Sequence, residues 1–544
     1  LYEIYLPPFK AAVQDGDSWT IMGAYDLYKG QYATHNQYLI NDILKGEWGY
    51  KGVVISDWGA ASDTKQAIFN GLDLEFGTWT DGLAAGTKNA YDNYYLANPY
   101  KQLILSGKVG TKELDDKVRR LLRLAFHTTL NKNRPLGSVA SAEHIDAARK
   151  IGEEGIVLLQ NQNGTLPINL NKTKKIAVIG ENAVKMMTVG GGSSSLKVKY
   201  ETLPLDGIKK RFGKDAEIVF ARGYVGDPGG EYNGVVTGQN LKDNRSEKEL
   251  IDEAVKVAKS ADFVVFVGGL NKSEFQDSEG ADRKSLSLPY NQDLLISSLA
   301  KANKNLAVVL ITGNAVSMPW VKEVPSILQT WYLGSEAGNA LASVLAGDAN
   351  PSGKLPFSFP VKLEDNGAHK LGEFPGNKEE IAAGKGKDKN NPINIKYNEG
   401  IFVGYRWHDT KNIKPLFSFG HGLSYTTFEF GKVKADKTKI SKDDKITFTV
   451  SVKNTGNREG AEVVQLYISD LKSSLPRPTK ELKGFEKVNL KPGETKEVSI
   501  TVDKSALSFF DPVKHDWVAE PGDFEALIGN SSSDIKTKLK FSLQ

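Results

Sequence analysis

The chain of 544 residues contains no cysteine. That absence excludes disulfides, a thiolate nucleophile and cysteine-based metal sites, while leaving the redox compartment open. Histidine is scarce, with 7 in all, and His127, His369, His408 and His515 stand without ligand spacing. A catalytic metal is therefore not expected, and nothing implies another cofactor. Net charge is also small. Lysine plus arginine number 70 against 66 aspartate plus glutamate, a balance of +4 that argues for neither nucleic acid nor an anionic membrane as partner. No run approaches the roughly 18 apolar residues of a membrane span. The start, Leu1-Tyr-Glu-Ile-Tyr-Leu-Pro-Pro-Phe-Lys-Ala-Ala-Val13, shows no basic segment followed by an apolar core, so no signal peptide is visible. It reads instead as the tail of an amphipathic helix entered in mid-pattern. Small neutral ligands suit this composition best.

What is present begins with length, which exceeds what one hydrophobic core supports and predicts two to four domains. The most informative stretch is Gly52-Val-Val-Ile-Ser-Asp-Trp-Gly59. Val53, Val54 and Ile55 read as a strand buried on both faces, and the run stops at once on Ser56 and Asp57. In parallel α/β folds, catalytic side chains collect at the carboxyl ends of strands, where backbone fixes them and the next loop opens them to ligand. Trp58 adds an aromatic face of the kind that stacks on a sugar ring. Asp57 is also placed to cap a helix over Ser62-Asp63-Thr64-Lys65-Gln66-Ala67, and this stretch alone leaves both roles open.

Strand and helix alternate along the first part: strands at 19–25, 52–56 and 72–76, helices at 37–44 and 63–69, and a helical spacing at Leu114, Val118, Leu121, Leu122 and Ala125. From about residue 140 a second α/β unit is expected, with strands at 175–180, 217–221, 262–269, 306–313 and 327–333. Continuous apolar strands such as Phe263-Val-Val-Phe-Val267 need helices on both faces, hence an α/β/α sandwich. Residues 362–396, polar and rich in glycine, lysine and asparagine, read as a long loop. Beyond Phe428 the period becomes two, as at Ile446, Phe448, Val450 and Val452, which predicts a β-sandwich of immunoglobulin or fibronectin type III kind.

A second dense stretch, Asn271-Lys-Ser-Glu-Phe-Gln-Asp-Ser-Glu-Gly-Ala-Asp-Arg283, follows the strand that runs to Val267-Gly-Gly-Leu270. Charged loops are usually solvated surface. Paired with Asp57, however, a carboxylate on this loop supplies the two groups that glycoside hydrolysis uses. Gly190-Gly-Gly-Ser-Ser-Ser195 has neither the spacing of a dinucleotide-binding turn nor a following Gly-Lys-Ser/Thr, and reads as a flexible loop.

Together these stretches resemble glycoside hydrolase family 3, the β-glucosidase family. Ser56-Asp57-Trp58-Gly59 is similar to the family's nucleophile motif, and Ser278-Glu-Gly-Ala-Asp-Arg283 to its acid/base loop. Gly46-Glu-Trp-Gly49, Glu154-Gly-Ile-Val-Leu-Leu159, Asn350-Pro-Ser-Gly-Lys-Leu-Pro356, Gly404-Tyr-Arg-Trp407 and Phe419-Gly-His-Gly-Leu-Ser-Tyr425 extend the resemblance over nearly the whole chain. It implies an α/β multidomain fold: the C-terminal part of a (β/α)8 TIM barrel at 1–135, an α/β sandwich carrying the acid/base loop at 136–361, a linking segment at 362–427 and a fibronectin type III-like domain at 428–544. A whole barrel takes roughly 250 residues, so the family's earlier barrel strands and their sugar-positioning residues have no counterpart here. A separate N-terminal barrel segment is the expected explanation, with a homodimer partner also to be considered.

The implied activity is release of terminal β-D-glucose from oligosaccharides or β-glucosides by a retaining, exo-acting route. Asp57 would be the nucleophile and Glu279 the acid/base, with their carboxyl groups about 5 to 5.5 Å apart. Glu274 is a second acid/base candidate. Tyr25 resembles the family tyrosine that hydrogen-bonds the nucleophile, and could equally be a rim tyrosine. Trp58 is expected beside the leaving-group sugar. A β-xylosidase or related member, or a non-catalytic fragment, is the alternative. The expected location is periplasmic or secreted, with the cytoplasm as the other choice.

Overall fold

The computed structural model describes every residue except 78–91, 93, 229–230, 233–234 and 387–390. It divides into two compact units, Leu1–Ser138 and Val139–Gln544.

In the first unit the strands Thr20–Gly23 and Val53–Ser56 pair in parallel, Thr20 opposite Val53 and Gly23 opposite Ser56. The expected third strand at 72–76 contributes a single bridge, Leu74 to Ile55. The Asp73 carboxylate takes the Val54 amide at 2.9 Å, and the Ser56 hydroxyl takes the Phe76 amide at 2.8 Å, so side chains occupy backbone donors that a ladder would use. The helix Gln37–Glu47 is wound wide, as in the Trp48 amide bonding the Ile43 carbonyl five residues back. Ile40, Leu44, Val54, Ala67 and Leu72 form the core of this unit.

The second unit begins with a six-stranded sheet in the order 157–161, 326–329, 306–311, 263–269, 175–179, 217–221. All pairs are parallel except the first, in which Val157–Asn161 runs antiparallel against Ser326–Gln329. That edge strand is not among the expected ones. Successive side chains of Phe263–Gly269 face opposite layers: Val264 and Phe266 pack with helices 247–259 and 292–302, Phe263, Val265 and Val267 with helices 204–212 and 337–346. Each such side chain stabilises the sheet by about 1.5 to 3 kcal/mol relative to exposure. This two-sided burial is what the unbroken apolar runs encode.

Residues 362–396, expected as a loop, contain short helical turns at 363–365, 367–370 and 378–382, and 387–390 lie outside the described residues. Beyond them two antiparallel-rich sheets enclose a separate core. Ile446–Asn454 alternates inward and outward, and Ile446, Phe448, Val450 and Val452 meet Val464, Leu466, Phe524 and Phe541 from the facing sheet.

Candidate active site

Asp57 follows directly on Val53–Ser56 and lies at the carboxyl end of that strand. Its amide donates to the Gly23 carbonyl at 3.1 Å, which extends the strand pairing one residue further and fixes its backbone. One carboxylate oxygen accepts the Trp58 amide at 2.7 Å. The helix Thr64–Phe69 is capped by Asp63, whose side chain accepts the Gln66 amide at 2.7 Å. The capping role open to Asp57 in the sequence thus belongs to Asp63, and Asp57 stands half-buried at the strand exit without it. Ser56 beneath it is buried, its hydroxyl accepting the Phe76 amide at 2.8 Å.

Trp58 is 58% exposed and stacks on Phe76, centroids 5.4 Å apart at 16°. Gly77, at φ +58°, passes so near that a Cβ there would lie 2.2 Å from the indole, so only glycine permits this packing. The Tyr25 hydroxyl donates to the main-chain carbonyl of Trp58 at 2.9 Å. Tyr25, Asp57 and Trp58 are thus brought together in one unit, with the tyrosine bonded to the carbonyl next in line rather than to the carboxylate that the resemblance implies.

In the other unit, the 271–283 loop leaves the end of Phe263–Gly269 and is tied down by Asp277. That carboxylate accepts the Gly313 amide at 2.7 Å, the Tyr332 hydroxyl at 2.8 Å and the Asn314 side-chain amide at 3.3 Å. Arg283 donates to the Ala315 carbonyl at 2.6 Å, and burial lowers its pKa. Asp277 and Arg283 therefore shape the loop. Glu279 is exposed, and one of its oxygens accepts both the amide and the hydroxyl of Ser193, each at 2.6 Å. These two bonds, hydroxyl first, hold its pKa below the ordinary glutamate value. Glu274 is exposed on the same loop. Beside Glu279 lies an open cleft of about 680 Å³ whose lining sets the rings of Tyr332, Phe357 and Phe374 beside the charged groups of Lys272, Asp282 and Arg283.

Ser193 is the residue that sequence reasoning missed. The expected flexible loop at 190–195 is instead pinned to the 271–283 loop: the Gly191 amide bonds the Lys272 carbonyl, and the Glu279 amide bonds the Gly191 carbonyl, both at 3.1 Å. The available signal was the three consecutive glycines, all at positive φ, which mark backbone shaped for close approach rather than for freedom.

Comparison with known proteins gives the family. The profile of the Glycosyl hydrolase family 3 N terminal domain matches residues 1–124, that of the Glycosyl hydrolase family 3 C-terminal domain residues 156–405, and that of the Fibronectin type III-like domain residues 462–532. The beta-glucosidase BoGH3A of Bacteroides ovatus is 49% identical over 99% of this chain and 70% of its own. The thermostable beta-glucosidase B of Acetivibrio thermocellus is 39% identical over 99% of this chain and 65% of its own length, so the chain spans about two thirds of such relatives. The crystal structure of a Bifidobacterium adolescentis GH3 beta-glucosidase superimposes with a TM-score of 0.85 at 32% identity, covering 100% of this chain and 72% of that one. With both domain profiles and a near-complete match at 49% identity, the chain belongs to glycoside hydrolase family 3.

Proposed function

We propose that this protein is a retaining, exo-acting β-glucosidase that releases terminal β-D-glucose from oligosaccharides or β-glucosides. The observation that carries the reading is Asp57: a carboxylate fixed by strand backbone, relieved of helix capping, and flanked by an exposed tryptophan ring. The names of the relatives support the sugar.

Asp57 attacks the anomeric carbon as the bond to the leaving oxygen breaks, and Glu279 gives that oxygen its proton. Water then adds to the anomeric carbon, its proton passes to Glu279, and the bond to Asp57 breaks to free the sugar. Glu279 must be ionised in the second half, the state that its bonds to Ser193 favour. Trp58 offers its free face to the leaving-group sugar, and Tyr25 positions the Trp58 carbonyl beside the nucleophile. In this reading Leu1–Ser138 is the C-terminal part of a (β/α)8 barrel, whose parallel strands deliver Asp57 at their carboxyl ends. Asp57→Ala and Glu279→Ala are expected to abolish cleavage of an alkyl β-glucoside. Unchanged turnover in either would refute the assignment.

A further inference from the structure

The 190–195 loop and the acidic loop are laced together more closely than two surface loops require. Besides the paired bonds between Gly191, Lys272 and Glu279, the Gly190 amide donates to the Ser195 hydroxyl at 3.0 Å and the Ser195 amide to the Gly192 carbonyl at 3.0 Å, which closes the glycine turn on itself. Gly192, at φ +92°, lies directly against Glu279: a Cβ there would stand 2.5 Å from the carboxylate oxygen and 2.6 Å from the glutamate Cβ. The turn thus has the shape of a seat for this one side chain, and Ser193 supplies both donors.

We propose that Ser193 is a positioning residue for Glu279: its amide and hydroxyl clasp the carboxylate in the resting enzyme, so that the side chain is held as the base and must leave the clasp to act as the acid. This rests on the reading of Glu279 as the acid/base. No charged side chain competes for the role among the described residues of this unit. The 190–195 loop carries none, and Lys272 turns to the Ser194 hydroxyl and the Tyr332 ring. Asp277 is engaged by Gly313 and Tyr332, Arg283 by the Ala315 carbonyl, and Asp282 is exposed to solvent. The two hydrogen bonds are accordingly the causes that depress the Glu279 pKa.

A clasp that favours the carboxylate works against the protonated form, so loss of one donor moves the titration of Glu279 upward. Removing one charge-assisted hydrogen bond from an exposed carboxylate should raise its midpoint by about half to one pH unit. Ser193 is exposed, so its replacement leaves packing intact. The direct test uses the full chain labelled with 13C at glutamate carboxyl carbons, the Glu279 resonance being assigned by its loss in Glu279→Gln. The midpoint is expected below that of ordinary glutamates, higher in Ser193→Ala, and restored in Ser193→Thr, which keeps the hydroxyl. Gly192→Ala, which pushes the seat against the carboxylate, should also raise it. In parallel, the basic limb of kcat/KM for an alkyl β-glucoside should move upward in Ser193→Ala and return in Ser193→Thr. A midpoint identical in Ser193→Ala and the unaltered protein overturns the clasp while leaving the catalytic reading untouched. Shifted midpoints together with full activity in Glu279→Gln overturn the acid/base reading instead, and with it the link between the clasp and the reaction.

Discussion

Asp277 tethers the loop that carries Glu279, and replacing it is the sharpest way to ask whether that tether serves the chemistry. Its two short bonds, from the Gly313 amide at 2.7 Å and the Tyr332 hydroxyl at 2.8 Å, are made to a charged acceptor. Such bonds contribute about 1.5 to 3 kcal/mol each, and at this half-exposed position the lower end applies, giving about 3 kcal/mol for the pair. Asp277→Ala removes both. At about 1.4 kcal/mol per decade the ratio of tethered to free loop falls about 100-fold, which sets the upper bound on the loss of kcat/KM for an alkyl β-glucoside. The Gly313 amide and the Tyr332 hydroxyl share one carboxylate oxygen, and Asp277→Asn keeps an oxygen there for both, so its loss stays within about 10-fold. A dinitrophenyl β-glucoside separates cause from coincidence, because its leaving group departs without a proton. Both variants should keep a near-normal kcat/KM for it, since kcat/KM reports formation of the glycosyl-enzyme and not the base-assisted second step. Equal losses on the two substrates, or equal losses in the two variants, would refute the reasoning.

Two further predictions concern the scaffold. Asp73 is buried and pairs with Lys45 at 2.7 Å while accepting the Val54 amide, so Asp73→Asn breaks a buried ion pair beside the strand that carries Asp57. A cost of about 3 to 5 kcal/mol is expected, seen as rapid limited proteolysis within residues 1–138, whereas an unchanged cleavage pattern would contradict it. Glu481 is buried, which by itself raises its pKa, but Lys483, Arg477 and Arg406 outweigh burial and bring it to about 2. A carboxylate depressed in the folded state contributes stability that is complete above its unfolded value and is lost as pH falls through the folded one. Between pH 4.5 and about 2 the protein should lose about 3 kcal/mol from this group. Acid unfolding followed by tryptophan fluorescence should show this loss flattened in Glu481→Gln, and an unaltered acid limb would count against the ion cluster.

Much of the fold is legible in the sequence because burial writes itself as a pattern. Phe263–Val267 and Ala307–Ile311 are unbroken because helices cover both faces, and Ile446 to Val452 alternates because only one face is covered. What escapes is set by partners far along the chain. Ile156-Val-Leu-Leu159 is as apolar as any strand, yet its antiparallel place at the sheet edge depends on pairing with residues 326–329. The segment 72–76 looks like a strand, but Asp73 and Ser56 take up the amides of Val54 and Phe76 and leave one bridge. The strand exit draws attention to Asp57 by a local pattern, whereas the choice of Glu279 among the carboxylates of its loop comes from the family resemblance. Ser193 could not be picked out, since its partner lies 86 residues away and three glycines alone do not say what they approach.

The most direct test is to trap the glycosyl-enzyme. The protein is incubated with a 2-deoxy-2-fluoro aryl β-glucoside, digested, and the peptides weighed. The expected result is one fluoroglucosyl group on the peptide containing residues 53–59, placed on Asp57 by fragmentation and absent from Asp57→Ala. A label on any other carboxylate, or turnover of the same aryl β-glucoside series with no trapped adduct, would contradict the assignment of Asp57 as nucleophile.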